Sequence, residues 1–349
     1  MKSPIRLMLG ALITTAGLAG NALVAAQTTS MLYVTNSGSN DVNVISLKTL
    51  KTVGDIVVGD KPHGVCAPAD GRVLFITIMS TSEMKIVDTT TNKVTQTVPL
   101  LSQPSGAEPN QCATTPDGRY VAVPMRFYGK EQSNLGDVDV ISMPGGKIVK
   151  VLPLRFPHNC FEGGSNQFLY CESRATGAVY RLNLQSMSFD KQIPTGPDPR
   201  PFAIAPDKRT LYTALGGFHG FAIVNLENMN IERVPLSGPP EPALCQKYEP
   251  NTPTHGVALS PDGSKLWVTS MADASVYVYD LAKKQWSKAI HTGNCPNWIS
   301  IAPAGKYVTV SNCGSNTVSV ISAQSRRVVA DIKVGDVPKR LLAVNVPGS

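Results

Sequence analysis

The sequence is built from a repeating unit of four short apolar segments, and this repeat limits the fold more than any other feature does. The clearest copy spans residues 255–290, where two apolar-rich segments flank a Pro-Asp-Gly turn at 261–263. A third segment follows at 276–280 and a fourth near 286–290. Apolar segments bounded by tight-turn residues favour strands and hairpins. We therefore predict that each unit forms one antiparallel meander of four strands.

The same order of segments recurs along the chain with a period of about 40–55 residues, which is typical of a β-propeller. The turn between the first two strands recurs at 69–71, 116–118, 206–208 and 303–305, and in degenerate form at 163–165. The first unit begins at its second strand, and an unassigned apolar segment, 341–346, follows the last unit. We predict an all-β, seven-bladed propeller of four-stranded antiparallel blades, in which this C-terminal strand closes blade one.

Three short motifs accompany the repeat. The second strand of the first unit reads Tyr33-Val34-Thr35-Asn36, and Ser-Pro-Asp-Gly turns and Val-Gly-Asp-x-Pro linkers occur in other units. On these motifs the chain resembles the YVTN-repeat β-propellers over nearly its whole mature length. The resemblance implies a single propeller domain over residues 27–349. It implies no single function, because that group includes surface-layer, lactonase-like and quinoprotein-like proteins.

Residues 1–26 have the pattern of a Sec-type signal peptide, with a basic start, an apolar middle and small residues before Gln27. We expect cleavage after Ala26 and a periplasmic or secreted protein. No later segment approaches the length of about 18 apolar residues that a membrane span needs, so none is expected. The net charge of +7 is not gathered into basic runs, which argues against nucleic acid as the partner. We expect a monomer.

One position of the repeat, the residue before each inner strand, carries a polar or basic side chain in every unit. In blades two to seven and then in blade one, these residues are His63, Asn110, His158, Arg200, His255, Asn297 and Lys339. We expect them at the mouth of the central channel, on the top face. Two interpretations stay open: a water-filled channel needs polar strand ends in any case, or this ring binds a ligand.

The three histidines of the ring, His63, His158 and His255, lie in blades two, four and six, which are nearly three-fold related. Three converging imidazoles could bind Zn²⁺ or Cu and leave a position open for substrate, or they could serve as base and acid. No local His-x-His or Cys-x-x-Cys motif supports a metal. The other ring residues, Asn110, Arg200, Asn297 and Lys339, are candidate ligand-binding residues. The two cations among them would attract an anion such as a carboxylate.

The seven cysteines allow at most three disulfides and leave one thiol. The repeat alignment places Cys160 opposite Cys171 across the first hairpin of blade four, so we predict that these two are bonded. Cys295 and Cys313 flank the corresponding hairpin of blade seven and are the second predicted pair. A bridge from Cys245 to Cys66 or Cys112 stays open.

These features support two main hypotheses for function. The first is an exported propeller that binds a small, anionic ligand or a partner protein at the channel mouth. The second is an enzyme, a lyase, hydrolase or metal-dependent oxidoreductase, that uses His63, His158 and His255. Pro62-His63-Gly64 also resembles the channel-mouth histidine motif of streptogramin lyase propellers. The repeated Trp-Phe-Thr-Glu strands of those enzymes are missing here, so their activity is not carried over.

Overall fold

The computed structural model describes residues 28–100, 106–127, 135–238, 245 and 247–348. In these residues every regular element is a β-strand, and the strands form seven antiparallel sheets. Six sheets consist of consecutive strands, and the seventh combines the first strands with the last one. The predicted seven-bladed propeller is confirmed. The predicted signal peptide, residues 1–26, lies outside the described residues.

Strands are numbered in chain order, and from the second blade onward each blade runs from its inner to its outer strand. The first two blades contain β1 (Thr28–Asn36), β2 (Asp41–Ser46), β3 (Lys51–Val57), β4 (Pro62–Cys66), β5 (Val73–Ile78), β6 (Glu83–Asp88) and β7 (Lys93–Pro99). The third and fourth contain β8 (Ala107–Pro109), β9 (Ala113–Thr114), β10 (Tyr120–Phe127), β11 (Gly136–Ser142), β12 (Lys147–Pro153), β13 (Pro157–Glu162), β14 (Phe168–Ser173), β15 (Ala178–Asn183) and β16 (Ser188–Pro194). The inner strand of blade three is therefore interrupted, being shared between β8 and β9.

The remaining blades follow the same plan. The fifth and sixth contain β17 (Pro199–Ile204), β18 (Thr210–Leu215), β19 (Phe218–Asn225), β20 (Ile231–Pro235), β21 (Thr254–Leu259), β22 (Lys265–Ser270), β23 (Ser275–Asp280), β24 (Gln285–Trp286) and β25 (Ile290–His291). The seventh contains β26 (Pro296–Ile301), β27 (Tyr307–Asn312), β28 (Thr317–Ser322) and β29 (Arg327–Lys333), and β30 (Pro338–Pro347) ends the chain. Strand β30 pairs with β1 along the whole of β1, so the predicted C-terminal closure of blade one is confirmed.

The apolar core lies between neighbouring blades. In β5 every residue after the first is buried, whereas most of β7, at the outer edge of the same blade, is exposed. Phe75 and Met84 of blade two pack in one cluster with Val121 and Ile141 of blade three. Because each blade buries apolar side chains only against its neighbours, the closed ring is what completes the core.

A β-bulge occurs at the same position near the start of six of the seven inner strands. In β4, for example, Pro62 pairs with Ile78 and the next paired residue is Val65, so His63 lies in the bulge. A bulge changes the direction of the side chains that it contains. In each of these blades it contains the predicted ring residue, which explains why this one position behaves alike around the ring.

A hydroxyl group on the second strand fixes the bulge and links it to the next blade. Thr77 accepts the N–H of Gly64 at 2.7 Å and donates to the carbonyl of Asn110, in blade three, at 2.9 Å. Two equivalent residues do the same: Thr35, between Arg340 and His63, and Ser311, between Trp298 and Lys339. At Gly64 a Cβ atom would lie 2.4 Å from the Asn110 carbonyl oxygen. The glycine of Pro62-His63-Gly64 is therefore needed for close contact between blades two and three.

The cysteines form three disulfides among the described residues. Cys160 is bonded to Cys171, as predicted, because these residues are directly paired in β13 and β14. The predicted pair of Cys295 and Cys313 is wrong: Cys295 is bonded to Cys245, and Cys313 is a buried thiol. Cys245 comes from the long insertion between β20 and β21, whose position the repeat alignment does not determine. The third disulfide joins Cys66 to Cys112, across blades two and three.

Peptide mapping under non-reducing conditions tests this pairing. We expect the peptide containing Cys245 to be linked to the one containing Cys295. Burial raises the pKa of the Cys313 thiol to about 11, so alkylation at neutral pH should label it only after unfolding, as one thiol per chain. Recovery of a peptide that links Cys295 to Cys313 would contradict the structure.

Candidate functional site

All seven predicted ring residues lie at the entrances of the inner strands, and all are buried. Exposed fractions range from 0% to 7% in the ring, which comprises His63, Asn110, His158, Arg200, His255, Asn297 and Lys339. Their surroundings nevertheless differ. Three of them, His63, Arg200 and Lys339, line a cavity at the mouth of the channel, and the other four contact groups deeper in the channel.

Arg340, the residue after Lys339, crosses the centre of the channel. Its guanidinium donates to the side-chain oxygen of Asn297 at 2.9 Å and to that of Asn110 at 3.2 Å. It also lies 4.2 Å above the ring of Trp298, which favours a cation–π interaction. Asn110 and Asn297, predicted as ligand-binding residues, thus bind Arg340 with their side-chain oxygens. Their predicted role toward a ligand stays a prediction. The alignment missed Arg340, because only the residue before each strand was compared.

The cavity at the channel mouth has a volume of about 320 Å³ and is mainly cationic. Two acidic residues, Glu108 and Glu249, line it together with five cationic ones, Lys61, Arg126, Arg174, Arg200 and Lys339. The repeat position identified two of these cations. Lys61 directly precedes β4, and Arg126 and Arg174 lie at the ends of second strands. A basic residue at the upper end of a strand is the sequence feature that could have identified these three.

Arg200 is 1% exposed and is held by acidic groups on two sides. Its guanidinium lies 3.1 Å from a carboxylate oxygen of Asp198 and 3.6 Å from one of Glu249. Asp198 also contacts Arg174, so one carboxylate fixes two arginines of the cavity. Because a buried guanidinium stays protonated, these contacts fix both the position and the charge of Arg200.

Glu249 reaches the cavity from the insertion between β20 and β21. Its carboxylate lies 2.8 Å from the ammonium of Lys339 and accepts a longer hydrogen bond, 3.4 Å, from the Asn297 side chain. Burial by itself would raise the pKa of Glu249, but Lys339, Arg200 and other positive groups outweigh burial and hold that pKa well below its usual value. Glu249 is therefore ionised at neutral pH. No sequence pattern pointed to Glu249, since the insertion is not part of the repeat.

His63 is a neutral imidazole whose ring lines the cavity. Ser37 donates its hydroxyl to the carbonyl of Pro62 at 2.7 Å, so at 3.2 Å it can only accept from Nδ1 of His63. Nε2 is buried and has no hydrogen-bond partner among the described residues. Burial lowers the pKa of His63 well below its usual value, and Arg340 and Arg126 lower it further. Nε2 is thus an unprotonated acceptor.

The other two histidines of the ring have partners within the protein. Nδ1 of His158 lies 2.8 Å from Glu172, and Nδ1 of His255 donates to the carbonyl of Asn297 at 2.7 Å. Burial lowers the pKa of His158 and raises that of Glu172, so the imidazole of this pair is neutral. The centroids of the two imidazole rings are 6.4 Å apart.

The predicted metal ligands are not gathered into one cluster in the described part of the chain. No group of three His, Cys, Asp or Glu side chains there is arranged to hold a metal ion. His63 faces the mouth cavity, whereas His158 and His255 use Nδ1 for contacts within their own blades or with the next blade. The three imidazoles thus make separate contacts in the described residues, and the binding of Zn²⁺ or Cu by His63, His158 and His255 stays a prediction.

Comparison with known proteins supports the fold and leaves the function open. No family model matches the chain. A stretch of 128 residues is 27% identical to antigen Lp49 of Leptospira interrogans serogroup Icterohaemorrhagiae, covering 32% of this chain and 27% of that protein. The match thus spans about a quarter of the length of the antigen. The YVTN-repeat resemblance stays a prediction.

Solved structures with a similar fold cover most of the chain. Hydrazine synthase from Kuenenia stuttgartiensis has a TM-score of 0.68 at 17% identity, covering 88% of this chain and 99% of that one. A functionally unknown protein from Desulfotomaculum acetoxidans has a TM-score of 0.69 at 14% identity, with coverages of 91% and 99%. Dihydro-heme d1 dehydrogenase NirN in complex with DHE has a TM-score of 0.62 at 15% identity, with coverages of 90% and 66%. At these identities the likeness defines a seven-bladed propeller and no more.

Replacement of Arg340 by methionine tests its role as a brace across the channel. The substitution leaves the buried side-chain oxygen of Asn297 without a donor and that of Asn110 with the Gln111 N–H alone, and a buried acceptor without a donor costs roughly 1–3 kcal/mol. We expect the free energy of unfolding, measured in urea, to fall by about 2 kcal/mol. Arg327→Met, on an exposed outer strand, is the control and should change it by less than about 0.5 kcal/mol. Equal effects of the two substitutions would contradict the brace.

His255 should make the protein less stable in acid. Burial lowers its pKa to about 3, against about 6.5 in the unfolded chain. Below pH 6.5 the unfolded state therefore binds a proton that the folded state does not, and stability falls as the pH falls toward 3. His255→Asn should reduce the slope of unfolding free energy against pH, between pH 5.5 and 4, by about 1.4 kcal/mol per pH unit. Lost packing would lower the free energy of unfolding at pH 7 as well, so a measurement at pH 7 separates it from the effect of protonation. An unchanged slope between pH 5.5 and 4 would contradict the low pKa of His255.

Proposed function

We propose that this protein is an exported seven-bladed propeller that binds a small anionic ligand in the cavity at the mouth of its channel. The single observation that carries this proposal is the set of five cationic and two acidic residues around a cavity of about 320 Å³. A concave site of this size suits a small molecule better than a protein surface. The partner protein weighed from the sequence is therefore the less favoured occupant.

Several like charges are buried close together around the cavity, and burying like charges together is costly. Arg200 and Lys339 are 1% and 7% exposed, and Arg126 is 6% exposed. Cations gathered in a concave, poorly solvated site create a positive potential, which raises the local concentration of anions. A carboxylate or phosphate that enters the site gains charge-assisted hydrogen bonds from groups that are already fixed in position. A ligand without charge would gain none of this.

We also propose that the protein is exported and monomeric. Three disulfides favour an oxidising compartment, periplasmic or extracellular, over the cytosol. The apolar segment at residues 1–26 supplies the means of export as a signal peptide. Among the described residues, none lies in a helix long and apolar enough to cross a membrane.

A second candidate function, an enzyme at the same cavity, is favoured by one observation. The ring of His63 lines the cavity, and its unprotonated Nε2 is buried without a partner among the described residues. A neutral imidazole beside a bound anion is suited to take a proton from it, as a lyase or hydrolase requires. The ligand recovered after incubation separates the two functions: a binding protein returns it unchanged, and an enzyme returns a product.

Titration calorimetry with succinate and with inorganic phosphate at low ionic strength tests the binding. We expect Lys339→Gln to weaken binding by about tenfold and Lys61→Gln, at the rim, by about threefold, because each removes a cation of the cavity. Lys93→Gln is the matched control: it removes one positive charge from an exposed outer strand of blade two and should leave affinity unchanged. Binding of neither anion, or equal weakening by all three substitutions, would sink the proposal.

A further inference from the structure

We propose that Glu249 is an internal occupant of a carboxylate site, and that the ligand is a small carboxylate that takes its place. This inference rests on the proposed function and makes it more specific. The chain itself carries a carboxylate into the most cationic part of the cavity, and the groups that hold it come from separate blades. The groups that bind the Glu249 carboxylate therefore form a preorganised site for the carboxylate of a free molecule.

Three donors surround the carboxylate of Glu249. The ammonium of Lys339, in blade one, lies 2.8 Å from Oε1, and the guanidinium of Arg200, in blade five, lies 3.6 Å from Oε2. The amide of Asn297, in blade seven, donates to Oε1 at 3.4 Å. All three donors are on inner strands of the ring, so their positions are set by the propeller and do not depend on Glu249.

Glu249 is carried by a short segment, residues 247–250, which we call the strap. The strap is held by the same two cations that hold the carboxylate. Lys339 donates to the carbonyl of Tyr248 at 2.9 Å, and Arg200 donates to the carbonyl of Pro250 at 3.4 Å. The strap belongs to no strand, and Tyr248, Glu249 and Pro250 all line the cavity. The strap continues along the chain into β21, which begins at Thr254, and Cys245, which precedes the strap, is bonded to Cys295 beside blade seven.

Exchange of one carboxylate for another is physically reasonable at this site. A ligand carboxylate would restore the charge pairs of Lys339 and Arg200, so no buried cation is left unpaired. The displaced Glu249 side chain would regain hydration, since it is at the rim, with 12% of its surface already exposed. Such an exchange needs only a small difference in free energy between the two occupants, and removal of the internal competitor should raise the apparent affinity.

The other groups that line the cavity favour particular functional groups on the ligand. Beyond the strap the cavity is lined by Lys61, by Arg126 and by the ring of His63, whose buried Nε2 has no partner among the described residues. A molecule with a second carboxylate, or with a hydroxyl to donate to His63, would use these groups as well. Succinate and malate are therefore the probes, and acetate serves as the molecule with one carboxylate alone.

Two matched substitutions test the exchange by titration calorimetry with succinate. Glu249→Gln and Glu108→Gln each remove one negative charge from the cavity and keep the shape of the side chain. Glu108 lies in β8, near Lys61 and Arg126. We expect Glu249→Gln to tighten binding by about tenfold and Glu108→Gln by less than about threefold, since only the former removes the competitor. Malate should give the same ranking, and acetate should bind more weakly throughout.

The outcomes separate this inference from the proposed function. If the wild-type protein binds succinate and Glu249→Gln binds it no better than Glu108→Gln does, Glu249 is a fixed counter-ion and only this inference fails. If the wild-type protein binds phosphate but not succinate, and Glu249→Gln binds succinate, the inference is supported. If neither protein binds any of the three carboxylates, or phosphate, the proposed function fails and this inference fails with it.

Hydrogen exchange in the wild-type protein tests the movement directly. In the free protein the N–H groups of Tyr248 and Glu249 donate to the carbonyl of Cys245 at 2.9 and 3.0 Å. Displacement of the strap should speed exchange in the peptide covering residues 245–254 when succinate is added, while β21 and β26 become no less protected. Slower or unchanged exchange in that peptide would mean that the ligand binds beside the strap, which overturns the inference.

Discussion

The structure depends on a side-chain hydroxyl that joins each of several blades to the next one. Thr35, Thr77 and Ser311 each accept the N–H of a residue in or beside a bulge and donate to a carbonyl of the neighbouring inner strand. A bulge without this acceptor would leave a buried N–H group unpaired, at a cost of roughly 1–3 kcal/mol. The threonine of Tyr33-Val34-Thr35-Asn36 thus has a physical reason. Its hydroxyl forms hydrogen bonds with backbone groups at the bulge, where the regular pairing of the strands is interrupted, and it sets the spacing between blades at the channel mouth.

The chemistry of the site arises where this pattern is broken. In blade four the equivalent position holds Glu172, and in blade five it holds Ala214. Glu172 contacts His158 in place of a neighbouring backbone, which leaves a buried carboxylate oxygen without a partner among the described residues. Blade five has no hydroxyl at this position, and there the guanidinium of Arg200 is held by Asp198 and Glu249. These two departures lie in neighbouring blades, and two cations of the cavity, Arg174 and Arg200, belong to the same two blades.

The repeat made the fold predictable, because the number of blades, their closure and the ring position all follow from alternation and turn residues. It also placed Cys160 opposite Cys171, since both lie inside one aligned hairpin. It could not give the direction of the ring side chains, so it did not predict the contacts of His158 with Glu172 and of His255 with the Asn297 carbonyl. The repeat also could not predict contacts with residues outside it, for a different reason. Glu249 and Cys245 come from an insertion whose path is set by tertiary contacts, and both were missed as partners of ring residues or their neighbours.

The positive charge of the mouth comes from side chains whose protonation does not change near neutral pH. Arginine and lysine supply it, and they also keep the imidazoles neutral: burial lowers the pKa of His63 and of His158 well below the usual value, and the guanidiniums nearby add to the effect. A protonated histidine in this place would meet Arg340 and Arg126 as well as the loss of hydration. The mouth therefore divides two tasks between residue types. The cations attract an anion at any physiological pH, and the neutral imidazole of His63, whose Nε2 has no partner among the described residues, is left to accept a hydrogen bond or a proton.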